Sequence, residues 1–474
     1  MINRYFTNEK LLQTSVLILF LLIVHQGLVG PSMENDGLIY ASIAKHLAEG
    51  HGSFWFPYSM FDETAFHHHP PLALWTQSLY FRILGDHFWV ENLYQVTALI
   101  LILITMTALW REIELTERGA WMPHLLFLTA PIVAFVFTDN FLEVTLTVFT
   151  TVAVFCQVKG ITGSANRNMW MVAAAIFTIA AFLSKGPVGL FPLAAPLILG
   201  FALQLPLGNI LRGYVVYIGA IALGCIILYA LPDSNRSLTA YIEFQWIGTA
   251  EGIRPNLHGR GYLTTQLLYN LLIPLTLTAF LVWRRGFVWN RRALGWLLIG
   301  LSASLPLLIS PRSFKWYIVP CLPFFALYMA ALVQSHAPTP QSRRRFYLFI
   351  TATSLLIAFV YVGIRDYGTI DNDFSAFHDL TLIKSVVPDA ETIGTCRSNA
   401  AEHHSPLIMN DRYLLYLSRY HSVRVLDRPD AKFVFCDNAS HLPDSYQRLD
   451  IGLEIHQLYI NNSLEKPGHS AAVE

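Results

Sequence analysis

The chain contains repeated runs of apolar residues, each about as long as a membrane-crossing helix. The hydrocarbon core of a bilayer is about 30 Å thick, so a helix that crosses it needs roughly 20 apolar residues. Eleven such runs can be read from the sequence, centred on residues 11–30, 94–111, 121–138, 140–158, 169–184, 187–206, 211–231, 264–283, 293–310, 316–334 and 346–364. The pattern predicts an all-α membrane protein, a polytopic bundle of about 11 transmembrane helices.

The composition agrees with a chain that lies mostly in lipid. Of its 474 residues, 54% are hydrophobic and only 14% are charged, whereas an average soluble domain carries roughly 25% charged residues. Lys plus Arg and Asp plus Glu number 32 each, so there is no basic excess to bind nucleic acid. A lipid bilayer, and no nucleic acid, is therefore the expected partner.

The basic residues predict the orientation, because cytoplasmic loops carry an excess of Lys and Arg. They concentrate in alternate loops, at Arg4, Lys10, Arg111, Arg118, Lys159, Arg167, Arg212, Arg284, Arg285, Arg291, Arg292, Arg343, Arg344 and Arg345. With eleven spans, the N-terminus is then cytoplasmic and the C-terminus lies on the external or periplasmic side; a bacterial inner membrane is the expected location. The first long loop, 31–93, shares the periplasmic side with the C-terminal tail.

Two domains are expected, a transmembrane domain over 1–365 and a small periplasmic α/β domain over 366–474. Helical spacing of apolar residues at 38–47 and 72–81 predicts interfacial helices in the first loop. In the tail, 412–419 has helical character and 431–436 resembles a short strand. Cys396 and Cys436 could form a disulfide in an exported domain, and two free thiols are an equally open alternative.

Asp36 is the best single candidate for catalysis, because it follows the first apolar run directly. A carboxylate at the membrane edge can accept a proton from an incoming hydroxyl, with its pKa tuned by burial. The structural alternative is that Asn35 or Asp36 is an N-cap of the following helix. Residue spacing alone favours neither reading.

Other polar groups fall on the same predicted side of the membrane. Asp139 and Glu143 are four residues apart and share a helix face, and either could be a second functional acid. Lys185, Arg312 and Lys315 lie at outer turns, where a phosphate ligand would account for them. Simple snorkelling to the interface is the alternative for these cations.

Two further groups lie in the outer loops. Arg260 and Tyr262 lie in the outer loop at about 232–262 and are candidates for contact with the donor or the acceptor. The run His67-His68-His69 precedes two prolines, and His68 and His69 are candidate ligands for a phosphate or a divalent metal ion. Adjacent side chains cannot all point the same way, so at most two would share a site. A solvated loop is the alternative.

Four motifs together resemble glycosyltransferase family 39, whose members have the large membrane C-type fold and use polyprenyl-phosphate sugars. This family includes protein O-mannosyltransferases and the aminoarabinose transferase acting on lipid A. The resemblance covers about residues 11–335. Its motifs are Asp36-x-x-x-Tyr40-Ala41-x-Ile43-Ala44, His69-Pro70-Pro71-Leu72-x-x-Trp75, Ser184-Lys185-Gly186-Pro187-x-Gly189-Leu190 and Lys315-Trp316-Tyr317-x-x-Pro320-x-Leu322-Pro323.

The resemblance implies a role for each matching position. Asp36 corresponds to the first-loop acid, the general base of the family, and Asp139 or Glu143 to a second acid. Lys185, Arg312 and Lys315 would hold the donor phosphate, and His69 stands where the lipid A enzymes carry a Lys. Tyr40 would belong to the donor or acceptor loop. The chain departs from those enzymes at 37–39, where their second acid and Arg are replaced by Gly-Leu-Ile.

The implied activity is inverting transfer of a sugar from polyprenyl phosphate to a hydroxyl of an envelope acceptor. Lipid A, another glycan, a lipid or a protein could be that acceptor. No nucleotide or other cofactor is needed, apart from the candidate divalent metal ion. The alternative is a transporter or flippase of lipid-linked sugars, which would predict acids near the bilayer midplane and repeated halves.

Overall fold

The computed structural model describes most of the chain. The described residues are 2–30, 33–58, 65–114, 119–163, 166–247, 258–259, 261–308, 313–333, 352, 356, 374–388, 391–395, 412–421, 423–426, 430–436, 442–454 and 456–464. The predicted last span, 346–364, lies outside them except for residues 352 and 356, and Cys396 also lies outside them. Cys436 is buried and disulfide-bonded, so the alternative of two free thiols is wrong, while Cys396 as its partner stays a prediction.

The fold is mainly helical, with one small sheet near the C-terminus. The α-helices are α1 Ile2–Val29, α2 Asn35–Ala48, α3 Leu72–Leu84, α4 Val90–Glu114, α5 Trp121–Leu128, α6 Pro131–Thr138, α7 Leu142–Thr162, α8 Arg167–Lys185, α9 Ala195–Ala202, α10 Leu207–Ala230, α11 Pro232–Ile242, α12 Tyr262–Arg285, α13 Arg291–Leu308, α14 Leu322–Ala331, α15 Phe374–Val386 and α16 Arg412–His421. The 3-10 helices are Gly186–Ala194, Lys315–Cys321 and Asn462–Leu464, and Glu243–Ile247 is a π-helix.

Membrane-spanning length is reached by fewer helices than predicted. Within the described residues, five helical segments are long and apolar enough to cross a bilayer, or six if α5 and α6 form one bent span. These two helices meet at 76°, because Pro131 opens α6 and cannot continue the helical hydrogen bonds of α5. The apolar parts of α1 and of 315–331 are shorter. Eleven spans are therefore not confirmed.

The predicted turn at Ser184–Pro187 is where the chain reverses. Gly186 has a φ of 77°, a left-handed conformation that glycine adopts without steric cost. Beyond it, a Cβ built on Gly189 would lie 2.6 Å from the carbonyl carbon of Ala181. The chain after Gly186 therefore folds back along α8, so the continuous apolar stretch from 167 to 202 is not one straight helix.

The two helices predicted in the first loop are present as α2 and α3. The interfacial interpretation of α2 is wrong, because every residue from Gly37 to Leu47 is buried. An interfacial helix would leave one face to lipid headgroups. Here α3 packs on one side of α2 and α16 on another, so its polar residues meet protein.

The C-terminal region contains the expected helix and strand, as α16 and as β3 (Phe433–Phe435). The other strands are β1 Thr392–Thr395, β2 Arg424–Leu426, β4 Tyr446–Leu449 and β5 Leu458–Asn461. Their order is β2-β1-β3-β5-β4, with β1 parallel to β2 and β3 and β5 antiparallel to β3 and β4. The core of this region includes α2 residues such as Leu38 and Ile43, and so it continues into the first loop.

Candidate active site

Asp36 lies in the first turn of α2 and is half-buried. The N-cap position belongs to Glu34, whose φ of −65° and ψ of 157° are extended and whose side chain makes no capping hydrogen bond. The N-cap interpretation of Asn35 or Asp36 is therefore wrong by one or two residues. A carboxylate in the first turn is stabilised by the partial positive charge of the helix N-terminus.

Gly37 brings the start of α2 against the turn that contains Asp139. A Cβ at position 37 would collide with the carbonyl oxygen of Asp139, so only glycine permits this approach. Asn140 Nδ2 also donates a hydrogen bond of 2.9 Å to the carbonyl oxygen of Gly37. The segments that carry Asp36 and Asp139 are thus in direct contact, and Asp139 is buried.

Asn140 joins four parts of the fold through one buried amide. Its Oδ1 accepts hydrogen bonds from Gln77 Nε2 at 2.5 Å and from Gln95 Nε2 at 2.7 Å. Gln77 lies on α3 and Gln95 on α4, while Gly37 belongs to α2. The backbone of Asn140 has a φ of 56°, a left-handed conformation that asparagine tolerates better than most residues. The amide fixes α2, α3 and α4 to the turn before α7.

Glu143 and Lys185 form a buried ion pair, with 2.5 Å between Lys185 Nζ and Glu143 Oε1. Their side chains are 1% and 5% exposed, respectively. Lys185 Nζ also lies 5.2 Å from the centre of the Tyr317 ring. Glu143 is therefore the counter-ion of Lys185, which is predicted to bind the donor phosphate. Asp139, which contacts the start of α2, is the acid that lies beside Asp36.

Lys315 approaches the same turn from the other side. Its Nζ lies 3.7 Å from the centre of the Phe135 ring, one helical turn before Asp139. The next residue, Trp316, packs against Phe141 with the ring centres 4.6 Å apart. The segment after 313 therefore lies against the turn between α6 and α7, so Lys185 and Lys315 converge with the two acids.

The histidine run contacts aromatic side chains. His69 meets the edge of the Tyr40 ring at 5.8 Å, one turn after Asp36. The His68 ring stacks on Phe244 at 4.1 Å, and its carbonyl oxygen accepts a hydrogen bond of 2.5 Å from Gln245. His69 is thus joined to the helix of Asp36, while His68 is tied to the π-helix.

The metal prediction gains no further ligand. Among the described residues, no group of three or more His, Cys, Asp or Glu side chains comes together as a metal site would require. Burial also lowers the pKa of His67. The environment of the run is aromatic, and no catalytic step is assigned to a metal.

Tyr262 opens α12 and stacks on His258, with ring centres 3.9 Å apart. His258 in turn meets the edge of Phe314 at 6.3 Å, beside Lys315. Tyr262 is thus connected to the convergent site through two aromatic rings. Arg260 and Arg312 lie outside the described residues, and their predicted roles stay predictions.

Several important residues escape a reading of the sequence. Gln77, Gln95 and Asn140 form the buried amide cluster, and Tyr317 and Phe135 supply the rings beside the two lysines. One signal was available, since a polar residue within an apolar helix such as α4 is costly and marks function or packing contacts. Gln95 meets that description.

Comparisons with known proteins agree with this architecture. Residues 68–231 match the family model described as dolichyl-phosphate-mannose-protein mannosyltransferase. A comparison with curated protein sequences finds no match.

Solved structures with the same fold cover nearly the whole chain. ArnT from Cupriavidus metallidurans in the apo state is 15% identical, with a TM-score of 0.68 over 96% of this chain and 98% of that chain. The same protein bound to undecaprenyl phosphate gives a TM-score of 0.64 at 15% identity, over 96% and 99% of the two chains.

A more distant structure shares the fold as well. The oligosaccharyltransferase of Archaeoglobus fulgidus, in complex with Zn and sulfate, is 14% identical with a TM-score of 0.53, over 89% of this chain and 68% of that chain. The chain therefore has the C-type glycosyltransferase fold, and its predicted resemblance to the polyprenyl-phosphate-sugar-dependent membrane glycosyltransferases is confirmed.

Proposed function

We propose that this protein is an inverting glycosyltransferase that moves a sugar from polyprenyl phosphate to a hydroxyl of a cell-envelope acceptor. The site would face the periplasm of a bacterial inner membrane, with the N-terminus cytoplasmic and the C-terminal domain periplasmic. The observation that carries the proposal is the contact between the start of α2 and the Asp139–Asn140 turn. This contact supports the proposal because the backbone of Asp139, a candidate second acid, lies against the residue after Asp36, and the chain shares its fold with ArnT.

The proposed chemistry needs an acid that faces the acceptor and cations that face the donor. The acceptor hydroxyl gives its proton to the Asp36 carboxylate while its oxygen attacks the anomeric carbon. The bond from that carbon to the phosphate oxygen breaks, and its electron pair leaves on polyprenyl phosphate. Attack opposite the leaving group inverts the anomeric centre. Asp139 would orient the hydroxyl from the neighbouring turn.

Lys185, Lys315, Arg312 and His69 are proposed to hold the donor phosphate. Lys185 and Lys315 lie near each other, because Lys185 contacts the ring of Tyr317, two residues after Lys315. Lys315 itself lies over the Phe135 ring. Fixed positive charge stabilises the oxyanion that develops on the leaving group. Glu143 is already the counter-ion of Lys185. A bound phosphate would therefore either pair with Lys185 together with the Glu143 carboxylate or displace that carboxylate from Lys185.

The test is transfer by the purified protein in lipid vesicles. The donors are a panel of radiolabelled undecaprenyl-phosphate hexoses and pentoses, and the acceptors are extracted envelope glycans, lipids and proteins. Asp36→Asn removes the proposed base, which we expect to lower transfer by about 10²-fold or more. The matched control is Asp233→Asn, which changes an exposed carboxylate in the first turn of another helix and leaves the rate unchanged.

Three outcomes separate the functions. Label covalently attached to an acceptor supports a transferase, and a wild-type rate in Asp36→Asn contradicts the role of Asp36. Label that crosses the vesicle membrane with its phosphate bond intact supports a flippase instead. Mass spectrometry of envelope glycans and lipids, with and without the protein, then identifies the acceptor through one missing hexose-sized or pentose-sized increment.

A further inference from the structure

Helix α16, which belongs to the C-terminal region, packs against α2. Near the start of α2, the Tyr416 hydroxyl accepts a hydrogen bond of 3.4 Å from the backbone N–H of Met33. In the middle, the hydroxyls of Ser42 and Ser418 are 2.6 Å apart. Helix α2 therefore rests on Asn140 on one side and on α16 on the other.

The strongest contact between these regions is made by Arg419. Its guanidinium grips Glu91 through two hydrogen bonds, from Nε to Oε1 at 3.2 Å and from Nη2 to Oε2 at 2.9 Å. A third bond joins Nη1 to Asp86 Oδ1 at 2.6 Å, and a fourth joins Nη2 to the carbonyl oxygen of His87 at 3.0 Å. The planar fork of Arg suits such a two-pronged contact, which Lys cannot reproduce.

Lys45 ties the same cluster to α2. Its Nζ lies 2.7 Å from Asp86 Oδ2 and donates a hydrogen bond of 3.1 Å to the carbonyl oxygen of Arg419. Glu49 Oε1 also lies 4.0 Å from Lys45 Nζ, so two cations face three carboxylates. The side chains of Arg419 and Glu91 are both 0% exposed, whereas that of Asp86 is 42% exposed. The Arg419–Glu91 pair is therefore the part of the network in the interior, where charges are retained only when they are paired.

We propose that Arg419 is a positioning residue for the Asp36 helix, and this inference rests on the function proposed above. By gripping Glu91 and Asp86, Arg419 holds α16 in place, and α16 holds α2 through Tyr416, Ser418 and Lys45. The C-terminal region is then a support for the catalytic helix. Displacement of Asp36 by an ångström would lower turnover without removing any group that contacts the donor.

The experiment compares Arg419→Met with the double variant Arg419→Met/Glu91→Leu. The single variant leaves Glu91 buried without its partner, so it destabilises the fold as well. The double variant removes both charges and keeps the pair of Lys45 and Asp86 intact. We expect the double variant to recover the melting temperature, while kcat stays about tenfold or more below wild type and the KM for the lipid donor stays within about twofold.

Two further measurements sharpen the result. Amide hydrogen exchange over residues 35–47 is expected to rise about tenfold in the double variant, because α2 has lost part of its support. Arg448→Met is the matched control, since Arg448 is an exposed arginine of the same C-terminal region and should change neither readout. Arg419→Lys, which keeps the charge but not the fork, should give a kcat below wild type.

A double variant with wild-type melting temperature, kcat and exchange would overturn the proposal, since Arg419 would then serve only as the counter-ion of the buried Glu91. If the wild-type protein transfers no sugar from any donor, the proposed function fails separately. In that case hydrogen exchange is the remaining test. Faster exchange over residues 35–47 in the double variant would confirm that Arg419 stabilises α2, and unchanged exchange would contradict it.

Discussion

Asn140 donates a hydrogen bond of 2.9 Å to the carbonyl oxygen of Gly37, across 103 residues of sequence. This bond joins the residues that follow the two candidate acids, because Asp36 precedes Gly37 and Asp139 precedes Asn140. The spacing of the two candidate acids therefore depends on Gly37 and Asn140, which carry no charge.

Gly37→Ala tests the close approach at this contact. The added methyl group would collide with the carbonyl oxygen of Asp139, so α2 must shift, at a cost of about 1–3 kcal/mol in the free energy of unfolding. We expect transfer to fall about 10²-fold. Denaturation curves and initial rates measure both effects. Gly219→Ala, at an exposed helical glycine with open space around it, should cause no loss.

Asn140→Ala tests the amide cluster. The change leaves the Nε2 groups of Gln77 and Gln95 without their acceptor, and each unsatisfied buried group costs about 1–3 kcal/mol. Alanine also fits the φ of 56° poorly, so Asn140→Gly serves as the comparison. If both variants lose the same stability and activity, the amide is responsible; full recovery in Asn140→Gly would assign the effect to backbone strain.

Lys185→Met tests the buried ion pair. It leaves the Glu143 carboxylate uncompensated in the interior, which we expect to cost about 3–5 kcal/mol of stability. Lys185→Met/Glu143→Leu should regain that stability but not the transfer activity, because Lys185, which is proposed to bind the donor phosphate, is still absent. Thermal melts and rates separate the two effects.

The control for that pair is Lys159→Met. Lys159 and Glu112 also form an ion pair, with 3.1 Å between Nζ and Oε2, but their side chains are 33% and 29% exposed. Breaking a solvated pair costs about 1 kcal/mol or less. A loss in Lys159→Met as large as that in Lys185→Met would show that burial is not the deciding factor.

His46 predicts how stability depends on pH. Burial first, and then the neighbouring Lys45, lower its pKa to about 3. Below about pH 6.5 the unfolded chain binds a proton at His46, whereas the folded protein does not. The free energy of unfolding therefore decreases by about 1.4 kcal/mol for each unit by which the pH is lowered from about 6.5 to about 3. Unfolding curves from pH 8 to 4 should show this slope in wild type.

His46→Phe should reduce the slope, because the substituted ring cannot titrate. His51→Phe is the matched control, at an exposed histidine whose ring centre lies 6.3 Å from that of His46. Identical pH slopes in wild type and His46→Phe would contradict the assignment.

Local patterns in the sequence predicted local structure well. Apolar spacing identified α2, α3 and α16, and Ser184–Pro187 marked the reversal at Gly186. The interfacial reading of α2 was wrong because helical periodicity does not reveal which protein surface will cover the polar face. The bend before Pro131 likewise split a predicted span into two short helices.

The contacts that organise the site could not be predicted in this way. Gln77 pairs with Asn140 across 63 residues, and Arg419 pairs with Glu91 across 328. A single sequence contains the donors and acceptors but not the helix packing that brings them together. The sequence likewise leaves Asp139 and Glu143 open as the second acid, because it does not reveal that the Glu143 carboxylate lies against Lys185.

The separation between α2 and its support also has a consequence in time. Arg419 follows Lys45 by 374 residues, and a ribosome adds about 5–20 residues per second. Helix α2 therefore waits about 20–75 s after its own synthesis before α16 exists to pack against it. A chain that stops before residue 412 contains Asp36, Asp139 and Lys185. It lacks α16, however, which packs against the helix that carries Asp36. Completion of the site is thereby tied to completion of the polypeptide.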